Sequence, residues 1–118
     1  MKTSRNTLTA YVTRDGSEIR ELMHPEVHGN RQQSLAEAIV QPGQQTRLHR
    51  HRVSEELYHV TRGTGIMTLA SETLPIGVGD TVLITPGTAH CVTASSDEAL
   101  HLLCCCSPPY RHDDTELL

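Results

Sequence analysis

The chain predicts an all-β sandwich or barrel, and three observations carry that reading. Short runs of aliphatic and β-branched residues recur along its 118 residues, each bounded by Gly- or Pro-containing turns. The connections between these runs are only a few residues long, as a compact β domain requires. Only one short stretch, near the N-terminus, carries a helical period. The length fits a single domain with a modest core.

Taken in order, Asp15-Gly16-Ser17-Glu18 sets a carboxylate three residues after a capping side chain, and Ile19, Leu22 and Met23 follow at helical spacing. One short N-terminal helix is expected there. His24-Pro25 ends it, and Gly29-Asn30 marks a turn. Strands are then expected at Leu35 to Val40, Thr46 to His51, Leu57 to Arg62, Gly65 to Ala70, Thr81 to Ile84, His90 to Ala94 and Leu100 to Cys106. Pro42-Gly43, Arg62 to Gly65, Ala70 to Glu72, Gly77 to Asp80 and Pro86-Gly87 supply the turns. Ser107-Pro108-Pro109 cannot continue a central strand. The organisation expected is an N-terminal segment, 1–34, with the helix and an edge strand, then a barrel, 35–107, and a polar tail, 108–118. The tail covers a barrel end, packs on a partner or stays loose.

Composition sets limits. With no Phe, no Trp and three Tyr, the core must be built from Val, Leu, Ile, Ala, Met and Cys. A pocket in such a protein should have few aromatic walls, which argues against flat aromatic substrates. A net charge of −4 and a pI near 6.0 give no electrostatic reason to meet nucleic acid or an anionic membrane. No signal-like apolar core and no run near the roughly 20 residues that span a bilayer is present, so a cytoplasmic location is expected. Cys104, Cys105 and Cys106 are consecutive and cannot build a disulfide framework, so they read as small core residues in a reducing compartment. A small barrel without large aromatics has a limited core and edges to cover, so a homodimer is expected.

The chemistry gathers around His49 and His51. Residues two apart on a strand share a face, so both imidazoles can reach one ion, and Glu56 and His90 complete a set of three nitrogens and a carboxylate. Glu56 and Glu55 compete for the acidic position. Glu56 shares its face with Tyr58 and Val60, whereas Glu55 falls on the other face with Leu57 and His59. Alternation also places Arg47 on the ligand face, where its cation could hold a substrate carboxylate or phosphate, while Arg50 and Arg52 point outward. His24, His28, His59, His101 and His112 receive structural or surface roles.

From Gly43 to Gly63 the residues read Gly-x5-His-x-His-x4-Glu-x6-Gly, which resembles the first motif of the cupin superfamily at each named position. Gly79 to His90 resembles the second motif, Gly-x5-Pro-x-Gly-x2-His-x3-Asn, with Thr85 where proline stands in the motif and Ala94 where it closes with Asn. Each motif occurs once, so the likeness is to a small single-domain cupin. The resemblance implies a double-stranded β-helix, or jelly-roll barrel. It also implies one divalent transition metal per chain, Fe, Mn, Zn, Ni or Cu, held by His49, His51, Glu56 and His90. Such sites host dioxygenases, decarboxylases, isomerases, lyases and simple binders. The expectation is a metal-dependent enzyme on a small polar or carboxylated metabolite, with dioxygenase-type chemistry slightly ahead. A lyase or isomerase using the ion and Tyr58 as base, similar to cupins that cleave dimethylsulfoniopropionate, and a non-catalytic ligand-binding cupin are the alternatives.

Overall fold

The computed structural model describes residues 1–118 as two antiparallel sheets packed face to face. The six-stranded sheet runs β1 (Tyr11–Val12), β2 (Glu18–Met23), β3 (Ser34–Val40), β10 (Leu100–Ser107), β5 (Glu55–Arg62) and β8 (Thr81–Ile84). The five-stranded sheet runs β11 (Thr115–Leu117), β4 (His49–His51), β9 (His90–Ala94), β6 (Thr64–Leu69) and β7 (Glu72–Gly77). Strand pairing does not join the two into a closed barrel. No helix is long and apolar enough to cross a membrane.

The expected N-terminal helix is a strand. Asp15-Gly16 turns a hairpin: the Gly16 and Thr13 amides donate to the Thr13 and Ser17 carbonyls, with Gly16 at φ +94°. An Asp-Gly pair is itself a strong hairpin signal, and here it outweighs the helical spacing that follows. Glu18–Met23 then pairs with β3 and buries only Ile19 of the three apolar residues. His24-Pro25, expected to end a helix, starts one. Pro25–His28 forms a single turn, α1, whose Glu26 amide donates to His24 Nδ1 and which closes on Gly29 at φ +83°. Elsewhere helix is limited to 3-10 turns at Arg5–Thr7 and His112–Asp114.

From β3 onward, the strand expectations match to within one or two residues, apart from β4. β7 was missed because Pro75 interrupts it, yet an edge strand tolerates a proline whose missing N–H would face outward. The expected strand from Thr46 is shorter: β4 begins only at His49. Thr46 and His49, three apart, are both buried, so one residue slips between them and Arg47 falls to the surface.

The core lies between the sheets, with Met67, Val60, Val92, Leu100 and Leu102 at 1% exposure or less. Ile19, Ala38, Tyr58 and Cys104 belong both to this core and to the wall of an internal cavity. The tail is tied down. Asp114 accepts the Val53 and Ser54 amides at 3.0 and 3.1 Å, Arg14 donates to the His112 and Thr115 carbonyls, and β11 pairs with β4.

Candidate metal centre

The site lies where the two sheets face each other. β4 and β9 bring His49 and His90 into direct register, and β4 adds His51 two residues on. The three imidazoles are buried, and their ligating nitrogens lie within 4.8 Å of one another. From the opposite sheet, β5 supplies Glu56, 5% exposed, while Glu55 is exposed.

Hydrogen bonds fix which imidazole nitrogen carries a proton. His49 Nδ1 meets the Arg47 carbonyl at 2.7 Å, and His90 Nδ1 meets the Thr88 carbonyl at 2.9 Å. A carbonyl only accepts, so both Nδ1 atoms donate. His51 Nδ1 lies 3.0 Å from the Thr115 hydroxyl, which spends its own proton on the Arg111 carbonyl, so this Nδ1 also donates. In the neutral tautomer every Nε2 is therefore a bare lone pair, the arrangement in which metal-binding imidazoles are held from behind.

These lone pairs face another acceptor. Glu56 Oε1 stands 3.2 Å from His51 Nε2 and 3.5 Å from His90 Nε2. Glu56 Oε1 and His90 Nε2 are fully buried without a hydrogen-bond partner. Such opposed acceptors repel unless a positive charge lies among them, and one proton satisfies only one pair. A cation satisfies all of them, so the donor set fits a metal ion. Glu56 Oε2 is meanwhile held by the Cys106 thiol at 3.2 Å. Burial pushes the Glu56 carboxyl up, but positive charge at the facing His51 and His90 nitrogens, of the kind a bound cation would supply there, pulls it further down, to about 2, so it is an anion at neutral pH. Burial and the neighbouring His90 push the His49 imidazole below its usual value, which keeps it neutral.

The adjoining cavity, of about 50 Å³, has room for a few water molecules. All three tyrosines of the chain, Tyr11, Tyr58 and Tyr110, line it, together with Asp15, Glu21 and Glu56, and no Lys or Arg does. The composition argument for a pocket poor in aromatics thus fails, because a count says nothing about where the residues gather. The basic substrate anchor expected at Arg47 is absent from this wall for the reason given by the β4 register. Tyr58 is 6% exposed, with its ring 5.7 Å from that of His90. Burial first, and then the Glu56 charge, push its phenol well above the usual value, so it keeps its proton. Cys104 and Cys106 are buried as expected, but they face the site, and burial pushes both thiols up.

Sequence reasoning missed Asp15, Thr115 and Cys106. Asp15 read as a helix cap, and it lies instead in the β1–β2 turn, 9% exposed, with Oδ2 3.7 Å from His49 Nε2. Tyr110 packs edge-on against the His51 ring at 5.7 Å. His24 and His59 keep structural roles: His24 caps α1, and His59 Nδ1 bonds the Thr81 hydroxyl at 2.7 Å.

Among known proteins, the chain is 47% identical over 118 residues to an uncharacterized protein of Methanocaldococcus jannaschii, covering 100% of this chain and 94% of that one. In structure it is similar to the nucleoside dehydratase Pac13 of Streptomyces, 17% identical, with 100% and 90% of the chains covered and a TM-score of 0.82. It is also similar to a predicted oxalate decarboxylase of Thermotoga maritima, 21% identical, with 92% and 99% covered and a TM-score of 0.81. The polyketide cyclase RemF of Streptomyces resistomycificus, 21% identical, covers 97% and 88% at a TM-score of 0.80. At these identities the structural likeness is one of fold. The Cupin domain family model matches residues 36–106, the stretch from β3 to β10 that carries all three histidines and Glu56, and the chain belongs to the cupin family.

Proposed function

We propose that this chain is a metal-dependent enzyme that acts on a small polar metabolite by moving protons, as a lyase or isomerase does. The opposed acceptors at Glu56, His51 and His90 carry this reading, since they call for a cation and the cavity opens beside them. His49, His51, His90 and Glu56 would hold one divalent transition ion. When bound, such an ion supplies Lewis-acid polarisation of a substrate oxygen.

The wall of the cavity selects the substrate. Three carboxylates outnumber the charge of one divalent ion and no Lys or Arg lines the wall, which disfavours a further negative charge, so the substrate is neutral and rich in hydrogen-bond donors, which narrows the carboxylated alternative. Glu21 has Oε1 tied to the Tyr11 hydroxyl at 3.1 Å and Oε2 without a partner, which suits it to accept from a substrate hydroxyl. Tyr58, protonated by its burial, is placed to donate rather than to act as a base. The tyrosine rings supply flat apolar contact.

Dioxygen chemistry is the second reading, because three imidazoles and a carboxylate suit Fe(II) as well as they suit Zn or Mn. Neutral hydroxylated compounds assayed with protein purified free of chelators, in parallel with oxygen uptake, separate the two. Turnover without oxygen uptake is expected, and Tyr58→Phe should keep the metal and lower turnover by about 10²–10⁴-fold. Substrate-dependent oxygen uptake, or full activity in Tyr58→Phe, contradicts the proton-transfer reading.

A further inference from the structure

We propose that Asp15 is a fifth protein donor to the ion, a carboxylate outside both family motifs. This rests on the metal reading above. Asp15 is 9% exposed, and an ionised side chain is rarely buried so far without a partner of opposite charge. Its two oxygens differ. Oδ1 accepts from the Ser17 amide at 3.0 Å and from the Ser17 hydroxyl at 2.7 Å. Oδ2 takes no such bond and stands 3.7 Å from His49 Nε2.

That nitrogen is a lone pair, because His49 Nδ1 holds the proton against the Arg47 carbonyl. Two acceptors thus face each other at His49, as they do at His51 and His90. Asp15 resembles Glu56 in that one oxygen is tethered by a neighbouring side chain, Ser17 in one case and Cys106 in the other, while the second oxygen faces an Nε2, although only the Glu56 oxygen is fully buried.

Distances support a shared ion. Donors that each bind at roughly 2.0–2.2 Å can stand no more than about 4.4 Å apart, and Asp15 Oδ2 lies inside that limit of His49 Nε2, at 3.7 Å; the three histidines alone lie mutually within 4.8 Å, so Asp15 and Glu56 would close on them as the ion binds. The turn that carries Asp15 is also held in place, since the Asp15 backbone carbonyl accepts the Arg47 amide at 2.8 Å, which ties the β1–β2 turn to the segment leading into His49. Asp15 would fill one of the two positions that a four-ligand set leaves open on an octahedral ion. A second hard oxygen favours Mn or Fe over four-coordinate Zn.

Asp15→Asn tests this, because it keeps the shape and an oxygen for Ser17 while removing the anionic donor. Ser17→Ala removes the side-chain tether on Asp15 Oδ1 while keeping the carboxylate, and His51→Ala controls for loss of the ion. Affinities for Mn(II) and Co(II) come from chelator competition, the visible absorption of the Co(II) protein reports coordination, and circular dichroism reports the fold. With the fold unchanged, Asp15→Asn should weaken Co(II) binding by about tenfold or more and alter its absorption, and Ser17→Ala, which loosens the carboxylate without removing it, should weaken binding by less. Unchanged affinity and absorption in Asp15→Asn, with the ion lost in His51→Ala, overturn the Asp15 assignment and leave the metal reading intact. A wild-type chain that takes up no ion overturns both.

Discussion

Thr115 shows how a single hydroxyl governs an imidazole. It accepts from His51 Nδ1 and donates to the Arg111 carbonyl, which leaves His51 Nε2 aimed into the site as a lone pair. Thr115→Val keeps the shape and removes the acceptor, so metal affinity should fall by about 10–100-fold while the fold persists, and Thr115→Ser should restore it. Chelator competition on the three proteins checks this, and equal affinities would deny Thr115 a positioning role. The clustering of the three histidines was legible in the sequence, with Glu56 facing them, because spacing along a strand decides which side chains share a face. Thr115 was not, for it stands 64 residues from His51 and its pairing exists only once β11 docks on β4. Cys106 was hidden differently: a thiol that packs and a thiol that holds a carboxylate read alike until Glu56 is found beside it.

At the scale of elements, punctuation was more informative than period. Turn residues placed the strands from β3 to β10, apart from the proline-bearing β7 and the start of β4. The segment after Asp15 shows the opposite failure, since three apolar residues at helical spacing could not compete with pairing against β3, which satisfies a whole row of backbone groups. Gly63, between β5 and β6, illustrates a turn position that tolerates no other residue. It sits at φ +81°, and an added Cβ would lie 2.3 Å from the Ala99 carbonyl oxygen. Backbone strain and a clash with main chain act together, so Gly63→Ala should destabilise the protein by at least about 2 kcal/mol. Urea unfolding reads this as a lower midpoint at unchanged slope, and an unshifted midpoint would mean that the β5–β6 turn can relax.

In the whole molecule, the five-stranded sheet carries the three clustered imidazoles, and the six-stranded sheet carries Glu56, Tyr58, Cys104 and Cys106. The outer face of the latter bears a row of apolar partners, Leu35, Cys105, Leu57 and Leu83, in register across β3, β10, β5 and β8, with Leu57 and Leu83 at 40% and 52% exposure. Covering that row favours the homodimer expected from the small core, and light scattering should give twice the 13.0 kDa of one chain. A mass of one chain at micromolar concentration would reject the dimer. The central claim, that buried lone pairs converge on a cation, is tested most directly by elemental analysis of the wild-type protein and His51→Ala, both purified without chelators. The account predicts about one transition ion per wild-type chain and almost none in the variant. A wild-type protein that neither carries nor takes up a metal, or a His51→Ala protein with unchanged content, would contradict it.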